Sequence, residues 1–341
     1  YYSDSPTEWL FEDKLYYQWL LNFLNHFEPG IRLHMIHPHG NNPDAIFQYI
    51  DAMIPFYIYA DTRSYYHPQT RRNAFHHFIL SAPGIGTALS LDFGNSSEPP
   101  VIFFSDSTAC SNFQHDFTQM LDSCQTMLKS FKAEQIVEGN ACNTKYMSLP
   151  GTVYYLSNVL PNIPQEILEE KIDTYVSDPQ TKSALKSSAA LRRSQTLEHM
   201  SNNDHYIMIN LATPDDVLNG RINYLNSFSY FGQTVSYSLR EYRDHIVYII
   251  ELLRKYPHMH LAILDKTIPP IGLMANTGSG VMLYRTHLPE LMLASEQLYL
   301  VDNVCYYLEN SYMTLPTRSK NKANVIQLLE NRLHEFDNLL Q

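Results

Sequence analysis

The 341-residue sequence predicts an α/β protein of two similar lobes joined by a mostly helical connector. Three observations carry this prediction. Two apolar runs, 75–80 and 85–91, flank a break containing Gly84 and Gly86, the sequence form of a β-hairpin. A second stretch of the same form, 271–275 and 281–284 around Asn276-Thr-Gly-Ser-Gly280, follows near the C-terminus. Each hairpin is preceded by helix periodicity and an apolar strand and followed by another strand and helix. The order helix, strand, hairpin, strand, helix therefore occurs twice, as in an internal duplication.

The first lobe is expected to span residues 1–131. Leu15, Tyr16, Trp19, Leu20, Phe23, Leu24 and Phe27 recur at three- and four-residue spacing, a helix over 13–27 stopped by Pro29 and Gly30. The run 31–36 is apolar enough for a buried strand. Asn41-Asn-Pro-Asp44 supplies the start of a helix reaching about Met53, and 56–60 reads as a short strand or helix end. A polar loop with Tyr65, Tyr66, His67 and Pro68 leads into the first hairpin. After a strand over 100–104, Ser105-Asp-Ser107 caps a helix expected over 111–131. The connector, 132–237, contains an apolar segment (147–160), a Pro-started helix (162–172), a more polar helix from Asp178-Pro179 to about Met200, a strand (205–211) and a short helix from Pro214. The second lobe, 238–315, opens on the cap Ser238-Leu-Arg-Glu241 with a helix to Tyr256. It continues through a strand over 259–264, the second hairpin, a strand over 289–294 and a helix over 297–312. The remaining 316–341 carry a helix whose stripe of Val325, Leu328, Leu329, Leu333, Phe336 and Leu340 is expected to pack on its own core rather than to dimerise.

The composition, 44% hydrophobic and 17% charged with 25 Tyr and 16 Phe, belongs to a globular, aromatic-rich chain. A net charge of -11 argues against a nucleic-acid-binding face within these residues, since phosphate binding needs clustered Lys and Arg. The densest basic spots, Arg71-Arg72, Arg192-Arg193 and 318–322, are short and are read as solvated faces. Cys110, Cys124, Cys142 and Cys305 show no paired spacing, which points to a reducing, cytoplasmic environment. No apolar run reaches the roughly 18 residues of a membrane span, so no membrane partner is expected. The chain opens on Tyr1 rather than Met, as a fragment or a processed product would.

Histidines gather near the first lobe's strands: His34 and His37, then His39, and His67, His76 and His77 beside the hairpin. Three neutral imidazoles would suit zinc, and an open coordination position would permit hydrolysis by a set such as His34, His37, His39 and His76. Against this, His34 and His37 fall on opposite faces of a strand by period, and no His-Glu-x-x-His occurs. The two Gly-x-Gly breaks read as turns, because neither is followed directly by a helix. No catalytic residue, metal or cofactor is therefore assigned. The candidate ligand-binding residues are His37, His39, Tyr57, Tyr65, Tyr66 and His76, in which aromatic area is combined with polar handles.

The doubled element order resembles the phospholipase-D-like fold, whose active members carry His-x-Lys-x-x-x-x-Asp on the hairpin of each half. Here His76 matches the histidine, but Phe78 and Pro83 stand at the Lys and Asp positions, and the second half offers Pro270, Gly272 and Thr277. Without the nucleophilic imidazole pair and the cations that stabilise phosphoryl charge, the resemblance implies a degenerate, non-catalytic scaffold. The stretches 7–13, 31–37, 55–59 with 65–68, 75–83 and 242–257 together resemble the C-terminal regulatory region of Firmicutes helix-turn-helix regulators of the Cro type. That resemblance implies a cytoplasmic, homodimeric sensor of an unidentified small-molecule effector. DNA would be contacted only through a preceding domain, repositioned when the effector binds.

Overall fold

The computed structural model describes residues 2, 3, 20, 22, 31–37, 52–67, 76–92, 100–224, 230–266, 268 and 271–341. They fall into two compact units, Tyr1–Ser130 and Phe131–Gln341. Both are mixed α/β.

In the first unit, β1 (Tyr2–Ser3) lies parallel to β2 (Arg32–His37) and antiparallel to β4 (His76–Ala82). β3 (Asp61–Tyr66) runs parallel to β2 after a helix over 52–59, the crossover that parallel pairing requires. β4, β5 (Gly86–Asp92) and β6 (Val101–Phe104) form an antiparallel meander. The turn between β4 and β5 holds Gly84 at φ +75°, a left-handed conformation that favours glycine. α1 (Ser107–Asp122) begins at Asp106, whose Oδ1 accepts the Ala109 amide at 2.9 Å. The helix expected over 111–131 stops there. β7 (Gln125–Lys132) follows and pairs antiparallel with β3. Cys124, Leu128 and Phe131 fit a helical stripe by spacing, but tertiary pairing with β3 decides the conformation. The expected helix over 13–27 and the start of the one before Met53 lie outside the described residues.

The second unit is built on the strand order β10-β9-β8-β11-β12-β13. β8 (Val153–Ser157), β9 (His205–Ile209) and β10 (Met259–Ile263) are parallel. β11 (Ile271–Asn276), β12 (Gly280–Arg285) and β13 (Leu291–Ser295) continue the sheet antiparallel. α2 (Ile136–Ser148) precedes β8. α3 (Gln165–Tyr175) and α4 (Pro179–Asn202) cross from β8 to β9; α5 (Pro214–Leu218) and α6 (Leu239–Lys255) cross from β9 to β10. α7 (Leu298–Met313), α8 (Thr317–Lys320) and α9 (Lys322–Leu340) close the chain. The stretch expected as a mostly helical connector thus also contributes β8 and β9 to this sheet. β9 is the strand expected over 205–211; the burial of β8 on both faces removes the period-2 signal that marks half-exposed strands.

Local chemistry explains the helix starts. Ser238 and Glu241 form a reciprocal capping box at α6, Asp178 accepts the Thr181 amide at 2.7 Å before Pro179, and Asn321 accepts two amides at the start of α9. Of the α9 stripe, Val325, Leu329 and Phe336 are buried in one core with Tyr242, Ile246, Ile249 and Leu253 of α6 and Leu333 packs against it, whereas Leu328 and Leu340 are exposed. Tyr242 and Phe336 stack with ring centres 5.4 Å apart. The turn between β11 and β12 is a close approach as well as a turn. A Cβ on Gly278 would meet the Pro150 carbonyl oxygen at 2.0 Å, and the Asn276 side chain donates to the carbonyls of Tyr146 and Leu149.

The expected duplication is not shown: a helix over 52–59 and β3 stand between β2 and the first hairpin, and among the described residues nothing corresponds to them between β10 and the second hairpin. The first unit places only β1 between β2 and its hairpin, whereas the second places β9 and β8 between β10 and its hairpin.

Candidate functional site

Two of the predicted ligand-binding residues meet in the first unit. His37 ends β2, Tyr57 lies in the preceding helix, and both reach Ser64 on β3: His37 Nε2 is 2.8 Å from Ser64 Oγ, and the Tyr57 hydroxyl also bonds that oxygen. A serine beside an imidazole is a nucleophile arrangement when substrate can reach it. Here His37, Tyr57 and Ser64 are 4%, 1% and 0% exposed, so the trio is a buried polar tie among β2, β3 and the helix. Burial lowers the His37 pKa to about 3 and raises that of Tyr57, which keeps both neutral. Tyr65 stacks on His34 at 5.9 Å between ring centres, and the Tyr66 hydroxyl donates to Gln125 Oε1 at 2.5 Å. His39 lies outside the described residues. His76 opens β4, but its side chain is not among those described. Among the described residues no group of three or more His, Cys, Asp or Glu side chains is placed to hold a metal ion.

The larger opportunity for ligand binding is in the second unit, where a cavity of about 280 Å³ lies between the sheet and the helices. Its floor is one sheet face. Ile207, Tyr155, Met274 and Met282 line it, and the register pairs them in that order across β9, β8, β11 and β12. Because side chains alternate along a strand, His205 and Val153, two residues earlier on their strands, join the same face, as does Tyr284 beside Met292. The roof is a helix face. Leu185, Ala189, Arg192, Thr196 and Leu197 of α4 recur at spacings that keep them on one side, with Asn140 contributed by α2. Tyr230, Phe231 and Tyr237 close one side.

Asn140, Asn143, Asn162, Gln165, Arg192, Arg193, Thr196 and His205 bring polar atoms to the lining. Arg192 Nη1 donates to Asn140 Oδ1 at 3.4 Å, and Asn140 Nδ2 donates to the Tyr230 hydroxyl. His199 Nε2 donates to the Leu149 carbonyl at 3.0 Å, so its Nδ1 accepts, and His205 must donate from Nε2 across 2.7 Å. Burial, reinforced by the neighbouring His199, lowers the His205 pKa to about 3. Tyr155, Tyr237 and Tyr284 have raised pKa values, chiefly because they are buried, and remain hydroxyl donors at neutral pH. His245 of α6 supports the wall from behind. Its Nε2 donates to the Pro161 carbonyl at 2.9 Å, and the Tyr237 hydroxyl lies 3.1 Å from its Nδ1. The lining therefore combines apolar area, neutral donors and arginine, with no carboxylate among the described lining residues.

The sequence reading placed its site candidates in the first lobe and missed this cavity. A signal was present: Arg192-Arg193, read as a solvated face, continues the helical stripe of Leu185, Ala189, Thr196 and Leu197. An arginine inside an apolar stripe marks a wall that meets something polar.

No family model matches the chain, and no curated protein matches it. A solved structure of TrmBL2, an archaeal chromatin protein described as showing a novel mode of DNA binding, matches over 67% of this chain and 75% of that one. The identity is 8% and the TM-score 0.21, and a likeness of that size carries no argument about this chain.

Proposed function

We propose that the second unit is a small-molecule-binding module and that the chain is a non-catalytic, ligand-sensing regulator. The observation that supports this reading is the 280 Å³ cavity, roofed and floored mainly by apolar and aromatic side chains with a few convergent polar groups. Met147, Met274, Met282 and Met292 contribute flexible, polarisable walls suited to accommodating a guest. In this reading occupancy favours one of two states of the protein, which requires a different ligand affinity in each. The change of state acts on a DNA-binding domain in a cytoplasmic homodimer, the role implied by the resemblance to Cro-type regulators. The net charge of -11 supports assigning DNA contact to a domain other than these residues.

Thermal denaturation with 1-naphthoic acid and with 1-naphthalenemethanol tests the reading. At least one compound should raise the Tm of the wild-type chain, and the rise should vanish in Ala189→Phe, which fills the roof. If neither compound moves the wild-type Tm at millimolar concentration, the cavity is not a binding site for this class and the proposal fails.

A further inference from the structure

We propose that the cavity takes an apolar monocarboxylic acid of roughly a dozen non-hydrogen atoms, its carboxylate bound by the Arg192 guanidinium and its body lying over the methionine floor. The proposal rests on the binding reading above and specifies its ligand. Size comes first: about 280 Å³ is nearly twice the roughly 150 Å³ that holds one benzene ring. The body is mainly apolar, because Met274, Met282, Met292 and Ile207 offer it no hydrogen bond.

The charge follows from the arginines. Arg192 has five N–H donors in a planar fork, and its hydrogen bond to a neighbouring side chain is the long one to Asn140. Arg193 is differently engaged, its guanidinium carbon 5.0 Å from the centre of the Tyr248 ring. Both arginines line the cavity, but Arg193 is held over the Tyr248 ring, so the Arg192 fork, with no carboxylate among the described lining residues, is the one offered to a planar anion. Asn140 holds the fork in place, since its amide bridges Arg192 and the Tyr230 hydroxyl. The neutral hydroxyls and the neutral His205 leave Arg192 as the group that distinguishes an acid from its alcohol.

The test is calorimetric titration of wild type, Arg192→Gln and Arg192→Lys with 1-naphthoic acid and 1-naphthalenemethanol at pH 7.5, after far-UV circular dichroism has shown each variant folded. The wild type should prefer the acid by about 10- to 100-fold, the range of a charge-assisted hydrogen-bond pair. Arg192→Gln should weaken the acid far more than the alcohol and so erase the preference; Arg192→Lys should keep part of it. Equal wild-type affinity for acid and alcohol would overturn the proposal while leaving the cavity reading intact. So would a preference that survives in Arg192→Gln. Failure of both compounds to bind the folded wild type would overturn the cavity reading and this proposal together.

Discussion

Replacing His245 by glutamine separates what this side chain contributes at neutral pH from what it contributes in acid. It is completely buried, bonded to Pro161 and Tyr237, and burial lowers its pKa from 6.5 to about 4. Between those two values the unfolded chain binds a proton that the folded chain does not, so stability is whole above pH 6.5 and is lost as the pH falls towards 4. A gap of about 2.5 pKa units corresponds to about 3 kcal/mol in the limit, of which about 2 kcal/mol is lost between pH 7.5 and 5. Glutamine cannot titrate and replaces the imidazole bonds imperfectly. His245→Gln should therefore be less stable than wild type at pH 7.5, by about 1 to 3 kcal/mol. Its further loss on going to pH 5 should be smaller than the wild type's by about 2 kcal/mol. Other depressed histidines, such as His205, cancel in the comparison because they are present in both proteins. Urea titrations followed by circular dichroism at the two pH values measure this difference. If wild type and variant lose the same stability between pH 7.5 and 5, the neutral-histidine account is wrong.

Three further substitutions, two of them at one ion pair, test the framework of the second unit. Lys171 Nζ lies 2.5 Å from Glu241 Oε1 with both side chains largely enclosed, and Glu241 also accepts the Ser238 amide at 2.8 Å. Lys171→Met should destabilise by about 3 kcal/mol by stranding that carboxylate, and Lys171→Met with Glu241→Gln should recover part of the loss in urea titrations. An additive double variant would show that the two groups do not interact. Gly278→Ala should lower stability by about 1 to 3 kcal/mol, because the new methyl meets the backbone carbonyl of Pro150 rather than a side chain that can swing away. Thermal denaturation indistinguishable from wild type would refute the close packing of the hairpin turn on that loop.

Much of the second unit was legible from local patterns. The Ser238 capping box, the Asp178-Pro179 start and the hairpin around Gly278 each consist of a few neighbouring residues whose hydrogen bonds form within a turn or two. The segment 125–132 was misread because Cys124, Leu128 and Phe131 satisfy a helical period, while its partner β3 is about 60 residues away in sequence. β8 reads only as part of an apolar segment because a strand buried on both faces shows a plain apolar run; β9 reads as a strand, but its membership of this sheet depends on pairing with β8 and β10, about 50 residues away on either side.

The amino-acid sequence by itself determined the α/β class, most element positions in the second unit and the inward Val325, Leu329 and Phe336 of α9, since these follow from backbone periodicity and capping. The cavity was decided only by tertiary structure. Ile207, Tyr155, Met274 and Met282 come from four strands, and Arg192 and Asn140 from two helices; nothing in their spacing brings them together until strand register and helix packing do. The buried trio His37, Tyr57 and Ser64 makes the same point in reverse. Residues that look reactive in the sequence are hidden by the fold, because a buried hydroxyl and imidazole with partners satisfy one another.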